Sequence, residues 1–145
     1  MEIKVIELKD LDKLQKLEES SFSKPWSRET LEELLESDRA RVLGFFEEEE
    51  LLGYSCLEWV LDEGSLTNIA VAPEHRRKGL ASILMEKTIE FAKEKDMAFI
   101  FLEVRVGNES AVKLYRKYGF EAAGVRKNYY SAPVEDALLM TLNLK

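Results

Sequence analysis

The sequence has few of the residues that form disulfides or bind structural metals. Its 145 residues include one cysteine, Cys56, and one histidine, His75. A single cysteine excludes a disulfide within the chain and is typical of proteins in a reducing compartment, so we expect a cytoplasmic location. One cysteine and one histidine are also too few for an ordinary four-ligand zinc site. We therefore expect no metal centre.

Long hydrophobic runs and an excess of positive charge are also absent. No apolar run approaches the roughly 20 residues that span a bilayer, and the N-terminal segment MEIKVIELKD is too charged for a signal peptide. We therefore expect no association with a membrane. The formal net charge of −7 argues against general nucleic-acid binding, which requires a basic surface. An acidic protein suits a cationic substrate such as an amine or a basic peptide, but the charge also serves solubility alone.

The composition is that of a folded domain of ordinary size. Hydrophobic residues make up 46% of the chain and charged residues 34%, which is typical of globular proteins. A chain of 145 residues without linkers or repeats is long enough for one real core. We expect a single domain over 1–145.

Hydrophobic periodicity predicts seven strands and four helices in this chain. The predicted strands cover 2–8, 41–46, 51–60, 66–72, 98–106, 120–125 and 137–143. The predicted helices run from Asp10 to about Phe22, from Ser27 onward, from Gly79 to about Lys95 and from Asn108 to Gly119, and a loop is predicted over 126–136. The strand–helix–strand unit over 66–106 should form a parallel pair with a right-handed crossover. This order predicts an α/β (α+β) fold with a mixed, mostly antiparallel sheet flanked by helices.

The segment from Leu66 to Phe91 is the most informative stretch of the sequence. An apolar strand ends at Pro73, and the cations Arg76, Arg77 and Lys78 then precede Gly79, where a helix begins. The first turn of a helix attracts anions through its unpaired N–H groups and its dipole, and a glycine lets a ligand approach the backbone. The pattern predicts a phosphate or pyrophosphate site, although a solvated cationic loop has the same composition. It lacks both the P-loop ending and the three-glycine dinucleotide pattern.

Glu103 and two tyrosines are candidates for chemistry. Glu103 is the only charge between Ala98 and Val104, and a carboxylate in a buried strand is costly unless it is paired or hydrogen-bonded. It is either a structural partner of Arg105 or a functional group at the carboxyl end of a strand, where open α/β sheets place ligands. Tyr115 and Tyr118 lie at helical spacing with apolar residues, so periodicity assigns both to the core equally.

Several short segments resemble the GNAT acetyltransferases. Arg76-Arg77-Lys78-Gly79-Leu80-Ala81 is similar to the acetyl-CoA motif of that family, although some relatives have glycine where this chain has Ala81. The segments Asn108–Ala111 and Leu114–Phe120 resemble its second signature. Phe22–Ser27, Leu102–Arg105 and Arg126–Tyr130 are similar to the bacterial ribosomal-protein-alanine N-acetyltransferases of the RimI type. The resemblance covers essentially the whole chain.

The resemblance implies a GNAT fold and direct acetyl transfer from acetyl-CoA to an amine, with no protein thiol and no metal. It implies that Glu103 is the general base, that Tyr115 rather than Tyr118 is the general acid, and that Asn108 contacts the pantetheine arm besides capping its helix. It also implies an acceptor pocket near Asn128, Tyr129 and Tyr130. The expected acetyl-CoA contacts are Ile69, Ala70, Val71, Arg76, Arg77, Lys78, Gly79, Leu80, Ala81, Ser82 and Asn108.

The implied acceptor is the N-terminal α-amine of a protein, and in the RimI-type relatives an alanine of a ribosomal protein. The sequence also leaves three alternatives open. The first is a GNAT enzyme for a small amine or a lysine side chain. The second is a non-catalytic CoA-binding module, which would need neither Glu103 nor Tyr115. The third is a phosphate-binding domain for another nucleotide.

Overall fold

The structure is a computed structural model that describes residues 2–145. Its strands are β1 (Glu2–Val5), β2 (Ala40–Glu47), β3 (Glu50–Val60), β4 (Glu63–Val71), β5 (Phe99–Arg105), β6 (Glu121–Tyr130) and β7 (Glu135–Asn143). Its α-helices are α1 (Leu11–Ser21), α2 (Arg28–Glu36), α3 (Leu80–Glu94) and α4 (Glu109–Lys117). Short 3₁₀ turns precede α1 at Leu8–Asp10 and α3 at Pro73–His75.

The strands form one seven-stranded sheet in the order β1-β2-β3-β4-β5-β7-β6. Neighbouring strands are antiparallel except for β4 and β5, which are parallel and joined through α3. This arrangement confirms the predicted mixed, mostly antiparallel sheet with four helices, and it confirms the parallel pair. No helix within residues 2–145 has both the length and the apolar character needed to cross a membrane.

The helices cover both faces of the sheet. Leu14, Leu17 and Leu31 of α1 and α2 pack on one face, against β2 and β3. Met85 and Tyr115, from α3 and α4, pack on the other face. Along β5 the alternate residues Ile100, Leu102 and Val104 are buried on the α3 and α4 side. Because side chains alternate along a strand, the intervening residues of β5 project toward the face that carries α1.

The parallel strands β4 and β5 separate soon after they pair. Their register covers only Glu63 to Ser65 on β4 and Phe99 to Phe101 on β5. A β-bulge at Thr67 follows, because Leu66 pairs with Leu57 and Asn68 pairs with Cys56 on β3. A bulge adds one unpaired residue and bends the strand. The second half of β4 therefore keeps its hydrogen bonds to β3 and loses contact with β5, which opens the sheet.

Predicted helix ends are confirmed at three positions. Ser27 and Asn108 accept hydrogen bonds from the N–H groups of Thr30 and Ala111, as N-caps should. Gly119 follows α4 with a φ of 96°, a left-handed conformation that glycine adopts without a steric penalty. Cys56 is fully buried in the core, and burial raises the pKa of its thiol to about 12.

The predictions for the N-terminal segment were partly wrong. The first strand ends at Val5 instead of Leu8, because a 3₁₀ turn follows it. Asp10 does not cap α1 with its side chain. Its buried carboxylate instead accepts a hydrogen bond from the Glu7 N–H at 3.1 Å, so it closes the 3₁₀ turn.

The loop predicted over 126–136 was also wrong. Strand β6 continues to Tyr130 and β7 begins at Glu135, which leaves a short connection over 131–134. Nearly every residue of β6 is exposed, and its pairing with β7 is irregular between Ala122 and Gly124 and again between Arg126 and Tyr130. An exposed edge strand with such irregularities has no period-two hydrophobic pattern, so its sequence resembles a loop.

Candidate active site

The opening between β4 and β5 forms a cleft of about 1390 Å³. One wall consists of β4 from Ser65 to Val71 and the start of α3, and another consists of β5 from Phe101 to Arg105 with the start of α4. On the face that carries α1, the cleft is bordered by the α1–α2 loop and by the hairpin end at Tyr129 to Ser131. The cleft therefore reaches from one side of the sheet to the other.

The start of α3 forms one end of the cleft. Gly79 has a φ of 81°, and a Cβ placed there would meet nothing within 4 Å. Arg76 and Arg77 line the cleft beside it. The Arg76 Nε donates a hydrogen bond to the Val71 carbonyl at 3.0 Å, which fixes the loop against the end of β4. Cations, free space and the N-terminus of a 15-residue helix together fit a phosphate group.

The free half of β4 presents backbone groups to the cleft. The Ala72 N–H donates to the Leu52 carbonyl on β3 at 2.8 Å. Because successive backbone groups point to opposite sides of a strand, Ala70 also faces β3, whereas Ile69 and Val71 direct their N–H groups toward the opening. Ile69 and Val71 thus have the direction that donors to an oxyanion in the cleft require, and Ala70 does not.

Glu103 lies on the cleft wall with its side chain 20% exposed. Its Oε1 is 3.7 Å from Nη1 of Arg126, in the second half of β6. Arg105, the partner considered from sequence, instead pairs with Glu135 at 3.2 Å and donates hydrogen bonds to two backbone carbonyls of the β6–β7 connection. Glu103 therefore forms a long ion pair with Arg126 and remains accessible in the cleft.

Two tyrosines at the end of β6 surround the carboxylate. A hydrogen bond to Glu103 raises the pKa of Tyr129, and the burial of the tyrosine and the negative charge of Glu103 raise it further. Burial, followed by the charge of Glu103, raises the pKa of Tyr130. The guanidinium groups of Arg126 and Arg105 lie over the rings of Tyr129 and Tyr130, at 5.0 and 4.5 Å from the centroids. The tyrosines therefore stay protonated near neutral pH and form a polar aromatic rim.

Tyr115 approaches the cleft from the opposite face of the sheet. It is 6% exposed and belongs to the core between α4 and β5, but it also lines the cleft. Burial raises the pKa of its hydroxyl to about 12, so the group carries its proton throughout the physiological pH range. Tyr118 differs, because its hydroxyl donates to Glu86 at 2.8 Å and to the Ser82 carbonyl at 3.2 Å on α3. The structure thus distinguishes two tyrosines that periodicity could not separate.

The match to a protein family agrees with this geometry. The profile described as the acetyltransferase (GNAT) family matches residues 11–120. The chain belongs to the GNAT acetyltransferase family. It is therefore an acyltransferase of this family, and the predicted GNAT fold is confirmed.

This GNAT protein has close relatives among bacterial proteins. The [ribosomal protein bS18]-alanine N-acetyltransferases of Escherichia coli K12 and Haemophilus influenzae are 34% and 37% identical to it. The alignments cover 97% of this chain and 95% of the first relative, and 98% of both chains for the second. A Bacillus subtilis protein with the same name, given provisionally, is 39% identical over 98% of this chain and 95% of its own.

Solved structures show the same fold. The crystal structure of the ribosomal-protein-S18-alanine N-acetyltransferase from Escherichia coli has a TM-score of 0.93 and 32% identity, with coverage of 99% of this chain and 94% of that chain. The structure of Arabidopsis thaliana NAA60 with a bisubstrate analogue has a TM-score of 0.88 and covers 99% of this chain and 98% of that chain, at 16% identity. The second likeness concerns the fold alone.

Most of the predicted site residues of this GNAT protein line one cleft. They are Ile69, Ala70, Val71, Arg76, Arg77, Gly79, Leu80, Ala81, Ser82, Glu103, Asn108 and Tyr115. Lys78 is exposed and does not line the cleft. Of the predicted acceptor residues, Tyr129 and Tyr130 line it, whereas Asn128 does not and donates its N–H to Asp136 at 2.8 Å.

Two residues near the site were missed from sequence. Arg126, which pairs with Glu103, could not be assigned because it lies in a segment predicted as a loop. Glu18 is buried on α1 and bonds to groups that line the cleft. Its position four residues after Leu14 and seven after Leu11 places it on the apolar face of the helix, which is a signal that the sequence does carry.

Three side chains of metal-binding type lie together at the surface. Glu50, Glu74 and His75 are the only such group within residues 2–145 whose ligand atoms are close to one another. Both glutamates are exposed, and the His75 Nε2 is 4.0 Å from the Glu50 Oε1. The long contact between His75 and Glu50 and the exposure of both glutamates are ordinary for a protein surface.

Proposed function

We propose that this GNAT protein transfers an acetyl group from acetyl-CoA to the N-terminal α-amine of a protein, and that its natural acceptor is an alanine at the start of a ribosomal protein. The supporting observation is the cleft that passes through the sheet, with Glu103 on one face and Tyr115 on the other. The names of the relatives from Escherichia coli and Haemophilus influenzae support the acceptor. A ribosomal acceptor agrees with the expected cytoplasmic location.

Acetyl-CoA fits the α3 side of the cleft. The pyrophosphate would lie at the first turn of α3, beside Arg76 and Arg77, where Gly79 leaves the backbone accessible. The pantetheine arm would follow the free edge of β4 toward the centre of the sheet. Asn108 uses its side-chain oxygen to cap α4 at 3.3 Å, which leaves its amide N–H groups available to the arm.

Glu103 is the proposed general base because only a neutral amine can attack a thioester. An α-amine has a pKa of about 8 and a lysine side chain about 10.4. A carboxylate that acts directly or through one water can therefore deprotonate an α-amine far more readily near neutral pH. The position of Glu103 among Tyr129, Tyr130 and Arg126 would place an incoming amine on the face that carries α1.

The free N–H groups of β4 would stabilise the charge that develops on the carbonyl oxygen. The N–H groups of Val71 and Ile69 point toward the opening, and no strand within residues 2–145 pairs with this part of β4 on that side. Backbone donors that are already in place need no reorganisation during the reaction. The β4–β5 separation is therefore as important to the proposed chemistry as the side chains.

Tyr115 is the proposed acid for the departing thiolate. Its hydroxyl stays protonated because burial raises its pKa to about 12. A thiol with an ordinary pKa of about 8.5 leaves as a thiolate with little assistance. Tyr115 should thus contribute less to the rate than Glu103.

Replacing Tyr115 with phenylalanine should lower kcat by no more than about tenfold, because the leaving thiolate needs little protonation. The affinity for acetyl-CoA should stay unchanged. Steady-state kinetics and calorimetry check both values. Tyr118→Phe is the matched control, since that hydroxyl bonds to α3 outside the reaction path, and its kcat should equal that of the original enzyme. A loss of a thousandfold in Tyr115→Phe would show that protonation limits the reaction.

The function as a whole is tested by measuring CoA release from acetyl-CoA with a panel of acceptors. The panel contains alanine-starting peptides, a polyamine, an amino sugar and free amino acids. We expect release with the peptides. Release with small amines alone would replace the proposal with a small-molecule acetyltransferase, and binding of CoA without any turnover would indicate a binding module. Thermal stabilisation by ATP or NAD but not by CoA would contradict the cofactor.

A further inference from the structure

The most deeply buried carboxylate in α1 belongs to Glu18, which is 1% exposed. None of the ion pairs found among residues 2–145 includes it. A carboxylate at such a position is costly to bury unless hydrogen-bond donors satisfy its oxygens. The surrounding structure must therefore supply those donors.

Three donors from separate parts of the chain converge on Glu18. The Tyr54 hydroxyl on β3 donates a short hydrogen bond to Oε2. The side-chain amide of Asn68 on β4 lies 3.3 Å from both oxygens, and it also contacts the Tyr54 hydroxyl at 2.7 Å. The backbone N–H of Trp26 donates to Oε1 at 3.1 Å. The network thus joins a helix, two strands and a loop.

Two of these donors belong to the walls of the cleft. Trp26 is part of the α1–α2 loop that borders the acceptor side, and Asn68 precedes Ile69, whose N–H faces the opening. Lys24, in the same loop, reaches across to the Ser131 hydroxyl on the β6–β7 connection at 2.6 Å. Glu18 therefore anchors the α1–α2 loop on its buried side. The other side of this loop contacts the β6–β7 connection, next to Tyr129 and Tyr130.

The bond to Trp26 does more than satisfy the buried carboxylate, because its donor lies outside the sheet. The two side chains Tyr54 and Asn68 already hydrogen-bond to each other within the sheet. The bond to Trp26 adds a backbone group eight residues away along the chain, at the point where the loop turns into α2. That bond fixes where the loop lies relative to β4.

We propose that Glu18 is a positioning residue for the acceptor amine. By binding Trp26 and Asn68 at once, it holds the α1–α2 loop at a fixed distance from the free edge of β4. The acceptor would then enter between the α1–α2 loop and β4, and Glu18 would determine the distance between these two parts of the chain. The inference rests on the proposed function, because it concerns the acceptor half of the same cleft and leaves the acetyl-CoA half untouched.

The test compares Glu18→Met with Glu18→Gln. Both side chains fill nearly the space of glutamate, but only glutamine keeps an oxygen that can accept the Trp26 N–H. We expect Glu18→Met to lower kcat/KM for an alanine-starting peptide by roughly tenfold through misplacement of the acceptor, with the Kd for acetyl-CoA unchanged. Glu18→Gln should recover most of that loss.

Asp10→Ala is the matched control. Asp10 is also a buried carboxylate, 5% exposed, but its hydrogen bond is local, to the Glu7 N–H. Its removal should lower the melting temperature without changing kcat/KM for the peptide. An equal loss of kcat/KM in Asp10→Ala and Glu18→Met, or no recovery in Glu18→Gln, would reduce Glu18 to a stability residue and overturn the proposal.

Amide hydrogen exchange in the unaltered protein gives a second test that requires no variant. The Trp26 N–H should exchange far more slowly than those of Ser23 and Lys24 in the same loop, for which no acceptor is found among residues 2–145. Equal exchange at the three positions would overturn the proposal. If the protein acetylates none of the peptides, the proposed function fails, while the exchange result still decides whether Glu18 holds the loop.

Discussion

Replacing Glu103 with glutamine should lower kcat for an alanine-starting peptide by about 10²-fold or more at neutral pH, because the amide cannot accept the proton of the attacking amine. The affinity for acetyl-CoA should remain nearly unchanged, since the predicted pyrophosphate contacts lie at the start of α3. Steady-state assays of CoA release measure kcat, and calorimetric titration with acetyl-CoA measures the affinity.

The pH dependence of this defect distinguishes a base from a structural group. Above the α-amine pKa of about 8, the acceptor is already neutral in solution. The ratio of kcat for the original enzyme to kcat for Glu103→Gln should therefore fall as the pH rises. Glu121→Gln is the matched control, because Glu121 is an exposed carboxylate at the start of β6 and does not line the cleft. Unchanged turnover of Glu103→Gln across the pH range would remove Glu103 from the mechanism.

Replacing Gly79 with leucine should weaken acetyl-CoA binding by roughly tenfold or more, for two physical reasons. The first is the φ of 81°, which a leucine adopts only at a cost of about 1–2 kcal/mol. The second is the space that the leucine side chain would fill. A Cβ at this position meets nothing within 4 Å, and the phosphates would approach the backbone through this space. Calorimetry with acetyl-CoA measures the change in Kd.

Gly119→Ala separates these two effects. Gly119 also has a positive φ, of 96°, but it lies after α4 beside Leu142 and outside the cleft. This variant should lose thermal stability and keep its affinity for acetyl-CoA. Normal affinity in Gly79→Leu would mean that the pyrophosphate does not bind at the start of α3, and the assignment of that end of the cleft would be wrong.

The cofactor half of the fold could be predicted from sequence because its signals are local. A buried strand, Pro73, a cluster of cations and Gly79 follow one another within a short segment, and each can be recognised in the sequence by itself. The caps at Ser27 and Asn108 and the glycine after α4 are equally local. Signals of this kind need no knowledge of which strands become neighbours.

The surroundings of Glu103 could not be predicted, because they depend on strand register. Glu103 pairs with Leu139 of β7, and Leu139 pairs with Gly124 of β6. Arg126, two residues further along β6, therefore comes beside Glu103 only through a third strand. Because the pairing of β6 with β7 is irregular, no periodicity in the sequence indicates this arrangement.

The proposed oxyanion donors depend in the same way on how the strands pair. The sequence from Ile69 to Val71 is an ordinary apolar strand, and nothing in it indicates which N–H groups are free. The bulge at Thr67 and the short register between β4 and β5 determine this. Both follow from how three strands fit together, so the sequence alone left the question open.

The most direct test of the account compares two peptides in the acetyl-CoA assay, with the modified atom located by mass spectrometry. One is a basic peptide that begins with a free alanine. The other has the same sequence with a blocked N-terminus and an internal lysine. We expect CoA release and one acetyl group on the free alanine, with no reaction of the blocked peptide. Acetylation of the lysine in the blocked peptide would contradict the claim that this GNAT enzyme acts on protein N-termini.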